Sequence, residues 1–328
     1  MTTLYDVAAI GNAIVDVIAP ASEDFLIEEG LAKGAMTLVD AERAASLYSR
    51  MAAGIEASGG SAGNTVAGVA SLGGRAVHIG KVGRDQLGDV FAHDMDAIGA
   101  HFAGGRMADA TPTGHCLISV TPDGQRTMST FLGAAALLSP EDVDAAVIEA
   151  AKIVYLEGYL FDPEAARRAF AKAAGLARAS ERLIALTLSD AFVIDRHRAA
   201  LHGFIATEVD ILFANEAEIT SLYGTDFDAA VEAVRGKAKI AAITRSERGS
   251  LIVSGDAVHE IAASPVEKVV DTTGAGDQYA AGFLFGLAQG RSLDYCGRLG
   301  SLAAAEVISH YGPRPQVSLK DLAIAAGL

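Results

Sequence analysis

Residues 271–285 read Asp-Thr-Thr-Gly-Ala-Gly-Asp-Gln-Tyr-Ala-Ala-Gly-Phe-Leu-Phe, a glycine-rich turn running into an apolar, helix-compatible stretch. Gly274 and Gly276 bracket Ala275, and Asp277 follows. Such a turn presents the N–H groups of residues 275–277 at the start of a helix. There they lack intrahelical partners, and the helix dipole adds partial positive charge. That combination suits an anion such as phosphate. A bound phosphate repels a neighbouring carboxylate, so Asp277 needs a further purpose. General base for a hydroxyl that attacks the phosphate is one; complementing the helix dipole is the plainer one.

Other segments carry chemistry at lower specificity. In Ser58-Gly59-Gly60-Ser61-Ala62-Gly63-Asn64-Thr65, small residues such as Gly60 and Gly63 let a ligand approach the backbone. The Asn64 amide can both donate to and accept from a hydroxyl. A tight turn before a capped helix explains the segment equally well. Asp16 ends Gly11-Asn12-Ala13-Ile14-Val15-Asp16, where a charge interrupts an apolar strand. It lies either at an exposed edge or against substrate hydroxyls. Asn215 and Glu218 have the spacing of a capping box, and also of oxygen ligands to hydrated Mg²⁺. Thr244-Arg245-Ser246-Glu247-Arg248-Gly249 follows an apolar run and can meet nucleotide phosphates, or simply carry surface charge. No G-x-G-x-x-G fingerprint or P-loop is present, and the histidines and cysteines form no zinc pattern.

These residues require elements to hold them. Short apolar runs at Val7–Ile10, Ala76–Val82, Ile153–Leu156, Leu183–Leu188, Ile211–Phe213 and Ile240–Thr244 read as strands. Helix-length segments alternate with them, at 62–72, 86–98, 163–178, 191–203 and 215–236, and helices at 275–289, 292–309 and 318–326 close the chain. That pattern predicts right-handed βαβ units: a doubly wound α/β domain, its parallel sheet covered by helices on both faces. Two regions break the alternation. Strands at 13–19 and 35–39 are joined by a helical stretch at 22–31 and followed by another at 40–53. Strands at 115–121 and 126–132 flank the turn Pro122-Asp123-Gly124-Gln125. They form either a small β-sheet lid or an extension of the main sheet.

With 328 residues, 51% hydrophobic and 6% aromatic, the core must rest on Ala, Val, Ile and Leu. A formal charge of −15 argues against nucleic acid or an anionic membrane as partner. Cys116 and Cys296 are the only cysteines and read as buried thiols. The N-terminal residues lack the features of a signal peptide, and the cytoplasm is the expected location.

Taken in order, these segments resemble the ribokinase-like (PfkB-type) carbohydrate and nucleoside kinases. Gly59–Asn64 with Gly80–Gly88 is similar to that family's N-terminal signature, and Asp271–Asp277 to its C-terminal one; Asn215 and Glu218 fit its N-x-x-E motif. The opening motif 11–16 and the helical stretches near 25–31 and 41–48 look most like the adenosine kinase branch, although Ala13 stands where that branch usually has proline. Ser246 stands where the family usually has glycine.

The resemblance implies one kinase domain over 1–328, with a lid formed by about 12–58 and 101–132. It implies transfer of the ATP γ-phosphate to a primary hydroxyl, adenosine before other acceptors. Asp277 would be the base, and Gly274, Ala275 and Gly276 would build the anion hole. Asp16, Asn12, Gly60, Gly63 and Asn64 would hold the acceptor, with Phe131 stacking on a base or filling the core. Arg126 would contact substrate or phosphate, or lie exposed in its hairpin. Asn215, Glu218, Thr244, Ser246, Gly249 and Gly276 would meet ATP. Mg²⁺ would be organised through water by Asn215 and Glu218, and K⁺ would sit at Asp271 and Thr273. Lid helices covering the small sheet favour a monomer, with a dimer as the alternative. A sugar kinase acting on ribose, fructose or 2-keto-3-deoxygluconate, or a non-catalytic nucleoside sensor, are the competing readings. A cation facing Asp16 and Asn64 would favour a sugar acid.

Overall fold

The computed structural model describes residues 3–328; Met1 and Thr2, which open the segment read as no signal peptide, lie outside the described residues. The chain begins with β1 (Tyr5–Ile10), β2 (Ile14–Pro20), α1 (Glu23–Glu28), β3 (Met36–Leu38), α2 (Ala41–Arg50) and β4 (Ile55–Ser58). Next come α3 (Ser61–Ser71), β5 (Ala76–Ile79), β6 (Lys81–Val82), α4 (Gln86–Ala97), β7 (His101–Phe102), β8 (Gly105–Arg106), β9 (Gly114–Val120) and β10 (Arg126–Phe131). The middle alternates through α5 (Ala145–Glu149), β11 (Ala151–Glu157), α6 (Glu164–Ala179), β12 (Leu183–Thr187), α7 (Ala191–Glu208) and β13 (Ile211–Asn215). It continues with α8 (Glu216–Tyr223), α9 (Phe227–Val234), β14 (Ile240–Thr244), β15 (Ser250–Ser254) and β16 (Ala257–Ile261). Three helices close it: α10 (Ala275–Ala288), α11 (Leu293–Val307) and α12 (Leu319–Ala325).

The main sheet has nine strands in the order β16-β15-β14-β13-β12-β11-β1-β5-β7. From β7 to β14 every pairing is parallel, and β15 and β16 add an antiparallel edge. Alternating side chains along each strand feed two cores. Val7, Ala9, Ile153, Tyr155 and Phe213 pack with Val66, Phe91, Phe283 and Cys296 from α3, α4, α10 and α11. Ile10, Val154, Leu156, Ile184 and Leu212 pack with Phe170, Ile194, Ile219 and Val231 from α6 to α9. A strand buried on both faces has no polar side to show, so these segments read as unbroken apolar runs.

A separate sheet of five strands, β3-β10-β9-β2-β4, forms the lid. Leu26 of α1 and Ala44 and Leu47 of α2 are buried beneath the lid helices. The expected lid boundary at 101 shifts. His101–Phe102 pairs with β5 in the main sheet, and Gly105–Arg106 pairs with β6 in a two-stranded sheet. The single strand expected over 76–82 divides at Gly80, and the helix expected over 215–236 divides at Gly224, left-handed at φ 63. The β15–β16 hairpin and the short α5 were not expected. No helix among the described residues is long and apolar enough to cross a membrane.

Candidate active site

The residues singled out above converge where β1, β11, β13 and β14 end, beside the N-termini of α3 and α10. Crevices beyond the carboxyl ends of parallel strands are where such sheets bind ligands. Gly274 caps α10 in the left-handed region, at φ 80, and makes no side-chain cap. A Cβ there would lie 2.7 Å from Pro313 atoms, so both conformation and space demand glycine. Gly274→Ala is therefore expected to lower thermal stability by about 1–3 kcal/mol and to cut turnover at least tenfold in an ADP-release assay, by tilting the turn.

The anion turn is narrower than the sequence suggests. The Ala275 N–H donates to the Thr272 carbonyl at 3.2 Å, closing a tight turn before the helix. The Gly276 and Asp277 N–H groups have no partner among the described residues and remain for a ligand.

Asp277 sits in the first turn of α10, half-buried, between two donors from α3. Ser61 Oγ donates to its Oδ1 at 2.6 Å and Asn64 Nδ2 to its Oδ2 at 3.0 Å. Burial raises the Asp277 pKa, and these two bonds oppose the rise. The carboxylate is thereby oriented and made more basic, as a general base requires.

Asp16 on β2 lies against Gly59, where a Cβ would come within 2.5 Å of the carboxyl carbon. It is buried, and its carboxylate takes no hydrogen bond from the described residues. Burial lifts its pKa to about 6, with Arg314 and Arg126 opposing and Asp277 assisting. Asn12 has a structural contact beside the expected one. Its Nδ2 donates to Glu157 Oε1 at 2.6 Å and its backbone N–H to Glu157 Oε2 at 3.3 Å, so it braces the loop after β1. Glu157 also accepts from the Ala62 N–H at 2.9 Å, tying that loop to the start of α3. Burial pushes Glu157 up to about 7. Gly60 lies at the same junction at φ 81, and Gly63 lies in the first turn of α3.

Phe131 is half-buried on the lid, 5.5 Å from the His115 ring. Arg126 is not exposed in its hairpin: it is buried, with Nη2 2.6 Å from Asp271 Oδ2. Asp271 also accepts from the Thr273 N–H and hydroxyl and from the Gly312 N–H. A monovalent cation at Asp271 and Thr273 would therefore have to displace Arg126.

On the nucleotide side, Asn215 and Glu218 form the capping box, with Oε1 and Oε2 of Glu218 accepting from Asn215 at 2.8 and 3.0 Å. Burial, aided by Asp190 and Asp277, lifts Glu218 to about 7. No group of three or more metal-ligating side chains is assembled among the described residues. Mg²⁺ usually takes one or two carboxylates, phosphate and water rather than an all-protein cage. The Thr244 hydroxyl is 3.5 Å from the Ala214 carbonyl, and Gly249 lies at φ 77. Ser246 takes the left-handed conformation, φ 53, that glycine adopts without strain. Arg245 and Arg248 are engaged by Glu260 and Glu216.

Ser61, Glu157 and Arg314 belong to the site without having been singled out. Glu157 carries a signal akin to that of Asp16: it is a charge closing an apolar strand, where Asp16 interrupts one. Arg314 lies in a loop with no periodicity to mark it. Its Nη1 donates to Ser58 Oγ at 2.7 Å and its Nε to Asn64 Oδ1 at 3.4 Å.

The pfkB family carbohydrate kinase model matches residues 30–319. The chain belongs to that family. The crystal structure of adenosine kinase from Sinorhizobium meliloti is 53% identical, covers 98% of this chain and 99% of that one, and superposes with a TM-score of 0.91. A probable sugar kinase from Rhizobium etli CFN 42 is 49% identical, with 99% of both chains covered and a TM-score of 0.91. Adenosine kinase from Saccharomyces cerevisiae is 26% identical over 327 residues, 93% of this chain and 95% of its own. The pfkB-family chain is thus a kinase of the nucleoside and sugar class, using ATP on a small-molecule acceptor.

Proposed function

We propose that this kinase phosphorylates the primary hydroxyl of a nucleoside, adenosine before others. The observation that carries the reading is a carboxylate without a donor, Asp16, facing the α3 turn that also holds Asp277. One end of the pocket is built for a neutral diol and the other for a proton. Asp16, Asp94 and Asp277 stand near Arg314 and Arg126, and Arg126 is already paired with Asp271. The surplus is negative, and a neutral acceptor is accommodated better than a carboxylate. Helices on the lid and likeness to the Sinorhizobium meliloti adenosine kinase along the whole chain support the nucleoside. The covered lid supports a monomer.

In the reaction, Asp277 takes the hydroxyl proton as the oxygen forms its bond to the γ-phosphorus. The bond from that phosphorus to the bridging oxygen breaks, and ADP leaves. The Gly276 and Asp277 N–H groups stabilise charge on the transferred group, each such donor being worth roughly 10²–10³ in rate. Mg²⁺ would neutralise the β- and γ-phosphates, with Asn215 and Glu218 orienting its water. Thr244, Ser246 and Gly249 line the nucleotide end. Phe131 offers a face to the base.

A sugar acid is the second reading, because Arg314 does face Asn64 and Asp16. ADP release across adenosine, inosine, ribose, fructose and 2-keto-3-deoxygluconate, with and without potassium, separates the two. Preference for adenosine is expected. Preference for the keto-deoxy acid would overturn the nucleoside reading while leaving Asp277 in place. Acceptor binding without turnover of any would favour a sensor, against which an intact base argues.

A further inference from the structure

Asp277 does not meet α3 through its carboxylate alone. The residue after it, Gln278, is fully buried, and its Nε2 donates to the Asn64 carbonyl at 2.9 Å. The residue after Asn64, Thr65, is also fully buried, and its hydroxyl lies 3.2 Å from the Asp277 carbonyl and 3.0 Å from that of Ser61. The two cross-helix bonds are reciprocal: each runs from the neighbour of one side chain to the backbone of the other. Gln278 Nε2 also donates to the carbonyl of Pro313 at 3.0 Å, the residue that leaves no room for a Cβ on Gly274. Two carbonyls can be met only by the NH₂ end of the amide, which leaves Oε1 buried with no donor. A Cβ on Gly68 would lie 2.2 Å from that oxygen and 2.6 Å from Ala281 Cβ, so α3 and α10 touch here with no space to spare. A side chain kept for packing alone would not leave a buried oxygen unmet.

We propose that Gln278 and Thr65 are positioning residues for the base, a reciprocal clamp that fixes α3 against α10 and so keeps the Ser61 and Asn64 donors on Asp277. Those donors act at 2.6 and 3.0 Å, contacts that a small slip of one helix along the other destroys. Neither clamp residue has exposed surface to offer a substrate. Both are neutral, so replacing either leaves in place every titratable group that feels Asp277: Asp16, Glu157 and Glu218, with the Tyr155 and Tyr159 hydroxyls. A change in how Asp277 titrates then reports on its two donors, which oppose the rise that burial imposes.

The inference rests on the reading of Asp277 as base, and its test separates the two. ADP release with adenosine, or with ribose if adenosine is inert, is followed against pH in the wild type, Gln278→Met, Thr65→Val and Asp277→Asn. Each clamp substitution is also combined with Asp277→Asn, and melting and calorimetric ATP binding serve as folding controls. Gln278→Met should lower kcat by about 10- to 100-fold, as a misplaced catalytic group does. Its acid limb should move to higher pH by about one unit, because weakened donors let burial raise the Asp277 pKa further. Thr65→Val should move both readouts the same way by less. With Asp277 already replaced by asparagine, neither clamp substitution should cost further turnover. A wild-type acid limb in both single variants, or an equal penalty with and without Asp277, would overturn the clamp and leave the base intact. Should Gln278→Met not fold, Thr65→Val decides by the same two comparisons. Should Asp277→Asn turn over like the wild type, the base reading fails and the clamp with it.

Discussion

Asp277→Asn is expected to lower kcat by about 10²–10⁴-fold, the usual contribution of a positioned base, while ATP and acceptor still bind. The asparagine amide fits the existing contacts. Its oxygen can accept from Asn64 and its nitrogen can donate to Ser61 Oγ, which now bond Asp277 at 3.0 and 2.6 Å. Only the proton-accepting capacity disappears. ADP release at saturating substrates, paired with calorimetric titration of each substrate, checks both halves. Turnover near the wild-type level would remove Asp277 from the role. Because burial raises the Asp277 pKa, the acid limb of wild-type kcat should lie above the ordinary aspartate range.

Asp16→Ala should act on the other parameter, raising the acceptor KM by roughly 100-fold, as expected for loss of a charged hydrogen-bond acceptor. An unchanged acceptor KM would exclude Asp16 from the pocket. The wild type should show the same loss on acidification, acceptor affinity falling as pH drops through about 6, where Asp16 takes up a proton. The groups facing it are Arg314, Arg126, Asp277 and the Cys116 thiol, which burial pushes up to about 12. Folding stability should move in the opposite sense. The folded pKa lies above the ordinary aspartate value of 3.8, so the folded state binds the proton more tightly and this group's contribution improves as pH falls from about 6 towards 4. Melting and acceptor titration over that window read the two trends separately.

The main sheet was legible because strands covered on both faces show as apolar runs, and the anion turn because Gly274, Gly276 and Asp277 stand together in the chain. Less was legible where a residue's role depends on what folds against it. Asn12 was read for the acceptor alone, and its Nδ2 also donates to Glu157, 145 residues away. Ala275 looked free, but a turn tight enough to aim its neighbours spends its own N–H on Thr272. Arg126 and Asp271 read as separate residues because nothing local marks an ion pair between a hairpin and a distant loop. The edge hairpin at 250–261 went unread although its turn at Gly255-Asp256 and the apolar run 251–253 both stand in the sequence.

That Arg126–Asp271 pair ties the lid to the segment from which the anion turn springs. Asp271 also fixes Thr273, next to Gly274, and the Gly312 backbone beside Pro313. Any outward swing of β10 must break the pair and loosen the turn it steadies. The pair thereby links the position of β10 to the shape of the turn that opens α10.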